Sequence, residues 1–428
     1  MFPDLLKLKL TSIFLSLALV SAQAPGIQIS FDSLEPVANI SPYVYGANYG
    51  PLSALTPELF PYAQNSGIRF LRFPGGRWGD QNDLKAFHID MYMAIVKLMA
   101  VEPSIHVRLE GGSPEAAANL VRYVQSKGYP VNHWYIGNEP SLFKDYTLSD
   151  LNRDWRAIAE AMLAVNPEII LMGPEPHQWP GIDALNPKDA LGQDWLKDFL
   201  KVNGDLIDVV AVHRYPFPSS TANPQTSLEA LRQNTLEWAE LIPRLKAVSE
   251  AVTGRDDLRF AISEANSHWS GNIGGETTPD SFYSALWWAD VLGKLIEDGA
   301  YMVGYFDLQS SDGRGGWGLM SSYSPRPSYY VYQLYQHFGD KLLMPRVETP
   351  PFVSVYAALR ENDSLSIIVT NFNDIGYRLE LKDLGQVERL MLFDQEHAAE
   401  DMELSEAIKE GHVELPAYAA ILMLVSKN

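Results

Sequence analysis

Between about residues 42 and 310, short apolar runs alternate with stretches whose apolar residues recur at helical spacing. This alternation predicts βα units around a parallel sheet. Eight runs read as strands: 43–47, 68–72, 105–109, 133–137, 169–172, 207–213, 259–263 and 302–306. Helical patterns lie between them, among them 113–126, 151–165, 228–252 and 281–298. Ser113, followed by Pro114 and Glu115, makes a sound helix start, because a hydroxyl cap, a fixed φ and an acidic first turn all favour it. Eight strands in one series predict an α/β fold of the closed (β/α)₈ TIM-barrel type rather than an open doubly wound sheet.

Past Met344 the pattern changes. Strands at 352–359, 364–371, 377–380, 387–393 and 417–425 follow one another without long helices, which predicts a small C-terminal β-sandwich. The run 27–31 is expected to add a strand to it. The expected division is therefore an N-terminal segment, 25–40, pairing with the sandwich, then a barrel at 41–343 and the sandwich at 344–428.

Residues 1–24 read as a secretory signal peptide. Lys7 and Lys9 precede an apolar stretch from Leu10 to Val20 that is too short to span a bilayer comfortably. Val20-Ser21-Ala22 and Ala22-Gln23-Ala24 both fit a small-x-small cleavage pattern. The alternative is a membrane anchor. A secreted protein, extracellular or periplasmic, is expected, with no membrane partner after cleavage.

The 428 residues are 46% hydrophobic, enough for a large core, and the net charge is −20. An acidic chain is repelled by phosphate backbones, so nucleic acid and anionic membranes are excluded as partners, and a neutral substrate suits it. There is no cysteine, hence no disulfide, zinc-thiolate site or cysteine nucleophile. The nine histidines show no metal-ligand spacing, so neither a metal nor a cofactor is expected. Oligomeric state is left open.

In a barrel, side chains at the C-terminal strand ends converge on one mouth. Five carboxylates follow strands directly: Glu110, Glu139, Glu175, Glu264 and Asp307. Glu139 ends the fourth strand in His133-Trp-Tyr-Ile-Gly-Asn-Glu-Pro140, and Glu264 ends the seventh in Phe260-Ala-Ile-Ser-Glu264. Carboxylates on opposite sides of a mouth can flank one glycosidic bond, one as proton donor and the other as nucleophile. A lone strand-end Glu is more often a helix cap or a surface group; the pairing and the Asn-Glu-Pro context decide otherwise here.

These residues resemble glycoside hydrolase clan A. Ile136-Gly-Asn-Glu-Pro140 is similar to its strand-four signature, which implies that Asn138 contacts the sugar 2-hydroxyl and Glu139 is the acid/base. Ile262-Ser-Glu264 is similar to its strand-seven nucleophile. Arg72, in Leu71-Arg-Phe-Pro-Gly-Gly76, matches the arginine near that nucleophile. His213 and Tyr215, in Val212-His-Arg-Tyr-Pro216, match the strand-six position, where an aromatic hydroxyl holds the nucleophile. The resemblance runs from about residue 41 to 338. Trp317-Gly-Leu-Met320 and Arg326-Pro-Ser-Tyr-Tyr330 resemble clan members that carry a C-terminal sandwich. Arg72-Phe-Pro-Gly-Gly76 and Gly112-Ser-Pro-Glu-Ala-Ala117 are similar to the family 51 α-L-arabinofuranosidases. Tyr45-Gly-Ala-Asn48 and Asn138-Glu-Pro140 are similar to the family 44 endoglucanases and family 39 β-xylosidases. Pro-Ser after Glu139 departs from the arabinofuranosidase pattern. Where the clan commonly has a strand-eight Trp, this strand reads Gly304-Tyr-Phe-Asp-Leu308, with Trp at 317.

The resemblance implies a retaining hydrolase of plant-type polysaccharide or its side chains, with the two carboxyl groups about 5–5.5 Å apart. The alternatives are a catalytically silent carbohydrate-binding barrel, or a transglycosylase using the same residues. Trp78, His177, Trp179, Trp269 and Trp317 are candidate substrate-binding residues, since aromatic faces stack on sugar rings; loop packing is the competing reading. Trp155, Trp195, Trp238, Trp287 and Trp288 fall on helical patterns and read as core. Gly313-Arg-Gly-Gly-Trp-Gly318 formally matches a dinucleotide fingerprint, but Tyr323-Ser-Pro325 follows instead of a helix, so it reads as a loop at the mouth.

Overall fold

The computed structural model describes residues 24–426 except Leu52, Ala54, 220–224 and 271–272. The proposed signal peptide therefore lies outside the described residues, apart from Ala24. Among the described residues no helix is long and apolar enough to cross a membrane.

Eight parallel strands close into a barrel: Gly46–Asn48, Phe70–Phe73, Glu102–Val107, His133–Ile136, Ile170–Pro174, Val209–Arg214, Arg259–Ala265 and Met302–Tyr305. All eight overlap the apolar runs, with two shifts: the third strand starts at Glu102, three residues before its run at 105–109, and the first starts late. Residues 42–44 form a 3₁₀ turn, and the first strand starts only at Gly46. Pro42 has no N–H to give to a ladder, and Ser41 caps the turn by accepting from the Tyr43 N–H.

Two-residue alternation sorts the strand side chains. Phe70, Tyr135, Met172, Val209, Ala211, Ala261 and Met302 point inward and fill the barrel. Leu71, Trp134, Ile136, Val210 and Ile262 point outward, into the core shared with the helices. The same alternation turns Arg72, two residues after Phe70, into the barrel.

The helices follow the patterns, with one break. Pro114–Lys127 starts on the Ser113 cap and ends on Gly128 at φ +65. Leu148–Leu163 starts three residues before its apolar pattern, on a Thr147–Asp150 capping box. The pattern at 228–252 resolves into Leu228–Asn234, a 3₁₀ stretch Thr235–Glu240, and Leu241–Thr253. Pro243 removes one ladder donor near the start of the last segment, where that donor has no partner to lose. The five helical-pattern tryptophans are all buried.

Two further sheets stack into a sandwich. The seven-stranded one contains Val353–Leu359, Leu365–Asn371, Val387–Phe393 and Ala419–Val425. Lys341–Leu343 pairs with Val353–Leu359 and with Ala38–Asn39, so both of those short strands belong to this sheet rather than to the barrel. In the four-stranded sheet, Gly26–Ile29 runs parallel to Tyr377–Leu381. Ile27, Ile29 and Leu379 face Val355, Ile367 and Ile421 across one apolar core. Helix Phe282–Glu297 packs between barrel and sandwich and is almost wholly buried. Asp290 is buried in that interface with Lys294, and accepts from Tyr356 Oη (2.7 Å) and Thr370 Oγ1 (3.1 Å). A carboxylate left unpaired there would be costly; this one ties the barrel helix to two sandwich strands.

Candidate active site

Arg72 is the hub of the barrel mouth. It is fully buried and gives Nη1 to Asn48 Oδ1 (2.8 Å) and Glu264 Oε1 (2.9 Å), and Nη2 to Asn138 Oδ1 (2.8 Å) and Glu175 Oε2. Its guanidinium lies 4.9 Å above the Tyr135 ring. One side chain thus joins the ends of the first, second, fourth, fifth and seventh strands.

Glu264 reaches the mouth because of an irregularity. Ile262 pairs with Val212, but Glu264 pairs with His213, so Ser263 is an extra residue in the seventh strand. Strict alternation from the inward Ala261 would turn Glu264 toward the helices. The bulge re-aims it inward, and Asn48 Nδ2 holds the bulged carbonyl of Ser263 at 2.9 Å. Tyr215 Oη donates to Glu264 Oε2 at 2.8 Å. Burial and the nearby Glu264 and Glu139 charges push the tyrosine well above its usual range, so it stays a donor.

Glu139 follows the fourth strand in a left-handed conformation, φ 48, just before a 3₁₀ turn that Pro140 opens. Its N–H bonds the Glu175 carbonyl at 3.2 Å. Before it, Asp80 accepts the backbone N–H of Leu109 (2.9 Å) on Oδ1 and that of Asn138 (2.7 Å) on Oδ2. This fully buried carboxylate pins the ends of the third and fourth strands together. Nothing in the sequence around Asp80 signals this. Asp80→Asn puts an amide N–H₂ against one of the two N–H groups, and is expected to lose about 1–3 kcal/mol of stability. Urea unfolding reads this, and an unchanged midpoint would refute the pinning role.

His213 sits among three carboxylates. Its Nδ1 lies 3.0 Å from Glu139 Oε1 and 3.5 Å from Glu264 Oε2, and its Nε2 lies 3.7 Å from Glu175 Oε1. Burial works against its charged form, but Glu264, Glu139 and Glu175 outweigh burial and raise its pKa to about 10. Glu175 shows the mirror case. Burial would raise it, yet Arg72 and then His213 hold it down to about 2. Glu175 is thus a fixed anion that keeps Arg72 and His213 in place, a part its strand-end position did not announce.

One oxygen each of Glu139 and Glu264 and a ring nitrogen of His213 lie within 4.8 Å of one another. Among the described residues this is the one group placed closely enough to hold a metal ion. The chemistry of the set is equally that of two carboxylates sharing a proton-bearing histidine.

Of the other expected substrate-binding residues, His177 is close: Ser141 Oγ lies 2.7 Å from its Nδ1, and burial lowers its pKa against the opposing Glu139 charge. Trp317 reaches the site indirectly, with its ring edge-on to Phe306 at 5.8 Å and Phe306 in turn against Tyr215 at 6.3 Å. Trp78 lines an adjacent cavity of about 240 Å³ together with Asn48, Gly75 and Asp307. Gly75 is required there, because a Cβ would come within 2.9 Å of Asn48 Cβ. Trp269 is 55% exposed, on a strand His268–Ser270 paired with Phe217–Ser219 beyond the barrel mouth. Trp179 is 1% exposed, so no sugar can stack on it. It is packed inside by its neighbours, with its backbone N–H donating to the His213 carbonyl. Asn48 was legible only within Tyr45-Gly-Ala-Asn48, and the Ser263 bulge not at all.

Comparisons with known proteins fit this architecture. No protein-family model matches the chain. It is 25% identical to a heparanase of Rattus norvegicus over 275 residues, 61% of this chain and 48% of that one. It is 24% identical to a β-xylosidase of Caldicellulosiruptor saccharolyticus over 281 residues (60% and 52%) and to a hyaluronoglucuronidase of Hirudo nipponia over 258 residues (58% and 48%). The chain spans about half the length of these relatives. Among solved structures, a family 51 arabinofuranosidase of Xanthomonas axonopodis pv. citri superposes with a TM-score of 0.72 at 14% identity, covering 94% of this chain and all of that one. A family 44 endoglucanase of Clostridium thermocellum gives 0.67 at 16% identity, covering 95% and 100%. Its sequence relatives and structural neighbours are thus glycosidases, of the kinds its motifs resemble.

Proposed function

We propose that this protein is a retaining glycoside hydrolase, with Glu264 as nucleophile and Glu139 as acid/base. The observation that carries the reading is the meeting of these two carboxylates, from the fourth and seventh strands, with oxygens within 4.8 Å of each other. That separation is on the short side that double displacement requires; inversion needs about 6.5–9.5 Å to admit a water.

The environments favour this division of roles. Glu264 is 3% exposed, and an Arg72 N–H and the Tyr215 hydroxyl donate to its two oxygens and fix the carboxylate's orientation. An anion held there can attack the anomeric carbon. Glu139 is the more accessible, its side chain 21% exposed, and bonds His213 Nδ1. Glu139 delivers a proton to the leaving oxygen as the glycosyl–Glu264 ester forms. It then takes a proton from the water that cleaves the ester. Asn138 is held by Arg72 through its Oδ1, which leaves its Nδ2 free to donate to a sugar hydroxyl.

The substrate is a carbohydrate. The heparanase and β-xylosidase relatives and the arabinofuranosidase structural neighbour are named for different sugars, so they do not narrow the carbohydrate further. His177 beside Glu139, Trp78 in the adjacent cavity and Trp317 behind Phe306 are the aromatic groups we assign to sugar contacts; Trp269, 55% exposed, would serve only a substrate that reaches past the barrel rim.

Loss of the acid should depend on the leaving group. Glu139→Ala is expected to cut kcat/KM roughly 10²–10⁴-fold on unactivated glycosides and much less on dinitrophenyl glycosides, whose leaving group needs no proton. Azide should restore part of the rate and yield the glycosyl azide of retained configuration. Equal loss on both substrate classes would refute the assignment.

A further inference from the structure

The cavity beside the candidate active site is lined by two arginines whose guanidinium groups make no hydrogen bond or salt bridge among the described residues, although the charge of Arg314 acts on the buried Asp307. Arg77 and Arg314 are exposed and line the same space of about 240 Å³ as Asn48, Gly75, Trp78 and Asp307. Most arginines here are engaged. Arg72, Arg108, Arg153, Arg156, Arg214, Arg232, Arg255, Arg326, Arg346 and Arg389 all pair with carboxylates. Acidic residues outnumber basic ones 53 to 33, so partners are plentiful. Even so, neither the Arg77 nor the Arg314 guanidinium forms a hydrogen bond or salt bridge among the described residues. Two free planar forks that line one concave space suit a carboxylate, which each can grip with parallel N–H donors.

The cavity is a neighbour of the catalytic pair. Asn48, in its wall, is the residue that accepts from Arg72 and holds the Glu264 bulge. Phe306, also in its wall, packs against Tyr215, the hydroxyl donor to Glu264. Trp78 offers it an aromatic face and Asn48 a polar wall, the mixture that sugar sites use. The volume is below that of drug-sized pockets and suits about one sugar unit. Asp307 opposes an anion in this cavity less than an ordinary carboxylate would. Burial lifts its carboxyl to about 7 against the pull of Ser310 and Arg314, and both its oxygens accept from Ser310 Oγ, at 2.8 and 3.0 Å. The overall negative charge does not decide the matter either, because at physiological salt charges beyond about 8 Å are largely screened, and the two guanidinium groups are local.

We infer that Arg77 and Arg314 form a subsite for the carboxylate of an acidic sugar, so that the saccharide cleaved next door carries a uronic acid. The inference rests on the hydrolase reading for what is cleaved, but not for what is bound, and the test separates the two. The intact wild-type chain is titrated calorimetrically with the methyl glycosides of glucuronate and galacturonate. Methyl glucoside, methyl galactoside and methyl glucoside 6-sulfate are run alongside. At least one uronide is expected to bind, with its neutral counterpart binding roughly tenfold or more weaker, the size of one lost charge-assisted contact. Arg77→Ala and Arg314→Ala should each weaken uronide binding by a similar factor, and raising salt from 50 to 500 mM should weaken it further. Arg346→Ala, which removes an exposed arginine paired with Asp32 far from the mouth, should change nothing. Equal affinity for a uronide and its neutral counterpart, unchanged uronide binding in both arginine variants, or tighter binding of the sulfate would each overturn the inference. Because titration needs no turnover, uronide binding by a chain that cleaves nothing would refute the hydrolase and leave the subsite standing. Cleavage of neutral glycosides without uronide binding would do the reverse.

Discussion

Glu264→Gln is expected to lower kcat by about 10⁴-fold or more on every glycoside, activated aryl glycosides included, because removing a nucleophile cannot be offset by a better leaving group. The fold should survive. Arg72 and His213 are the two cations of the mouth, facing the three carboxylates Glu139, Glu175 and Glu264. Taking one anion away leaves two against two, so no buried charge is stranded. Glutamine can still accept from Arg72 Nη1, and its amide can donate to the Tyr215 oxygen. Stability within about 1 kcal/mol of wild type is expected on that account. Steady-state rates on dinitrophenyl and natural glycosides, set beside a thermal melt, check both halves. A kcat within tenfold of wild type on either substrate would remove Glu264 from the reaction.

Arg72→Met should do the opposite, damaging the fold as much as the chemistry. It strips four acceptors of their shared donor and leaves Glu175 and Glu264 buried without their main cation. Breaking a buried pair by removing one partner costs about 3–5 kcal/mol. The pH dependence carries the signature. In wild type the Glu175 pKa is depressed to about 2 from an ordinary 4.5. A depressed carboxylate contributes stability that is complete above pH 4.5 and is lost as pH falls toward 2. Without Arg72, burial is the largest influence left on Glu175, and burial raises a carboxyl. A raised carboxyl contributes in the other sense, with stability lost as pH rises through its folded value. The stability deficit of Arg72→Met relative to wild type should therefore be largest near pH 7 and shrink toward pH 4. Parallel stability curves across that range would show that Arg72 is not what holds Glu175 ionised.

These two expectations differ because the mouth is a network with one hub. Glu264 is one of three carboxylates that Arg72 and His213 face, so its loss leaves both of those groups partnered. Arg72 is the shared cation, and its loss creates an imbalance. Asp80 stands outside that network, yet sets the backbone on which Asn138 and Glu139 are mounted. Variants at the three positions should thus separate chemistry, charge balance and backbone placement.

What the sequence determined by itself was everything carried by local periodicity. Two-residue and 3.6-residue alternation decide which face of each strand and helix is apolar, and from that come eight barrel strands and the strands of the sandwich; Glu139 and Glu264 follow as carboxylates at strand ends, and Arg72, Asn138 and His213 from the motifs that resemble glycoside hydrolase clan A. Local chemistry also gave the Ser113 cap and the buried helical tryptophans. Only the tertiary structure decided what depends on partners distant along the chain. The extra residue at Ser263 is visible only as a register shift against Val212 and His213, and without it Glu264 would face away. Trp179 reads like an exposed loop aromatic until the surrounding chain closes over it. Asp80 looks like any helix-turn aspartate until Leu109 and Asn138 present their N–H groups to it. The reason is common to all three. Periodicity reports how a segment is solvated on average, whereas a bulge, a buried ring and a satisfied carboxylate are fixed by groups that meet only once the barrel has closed.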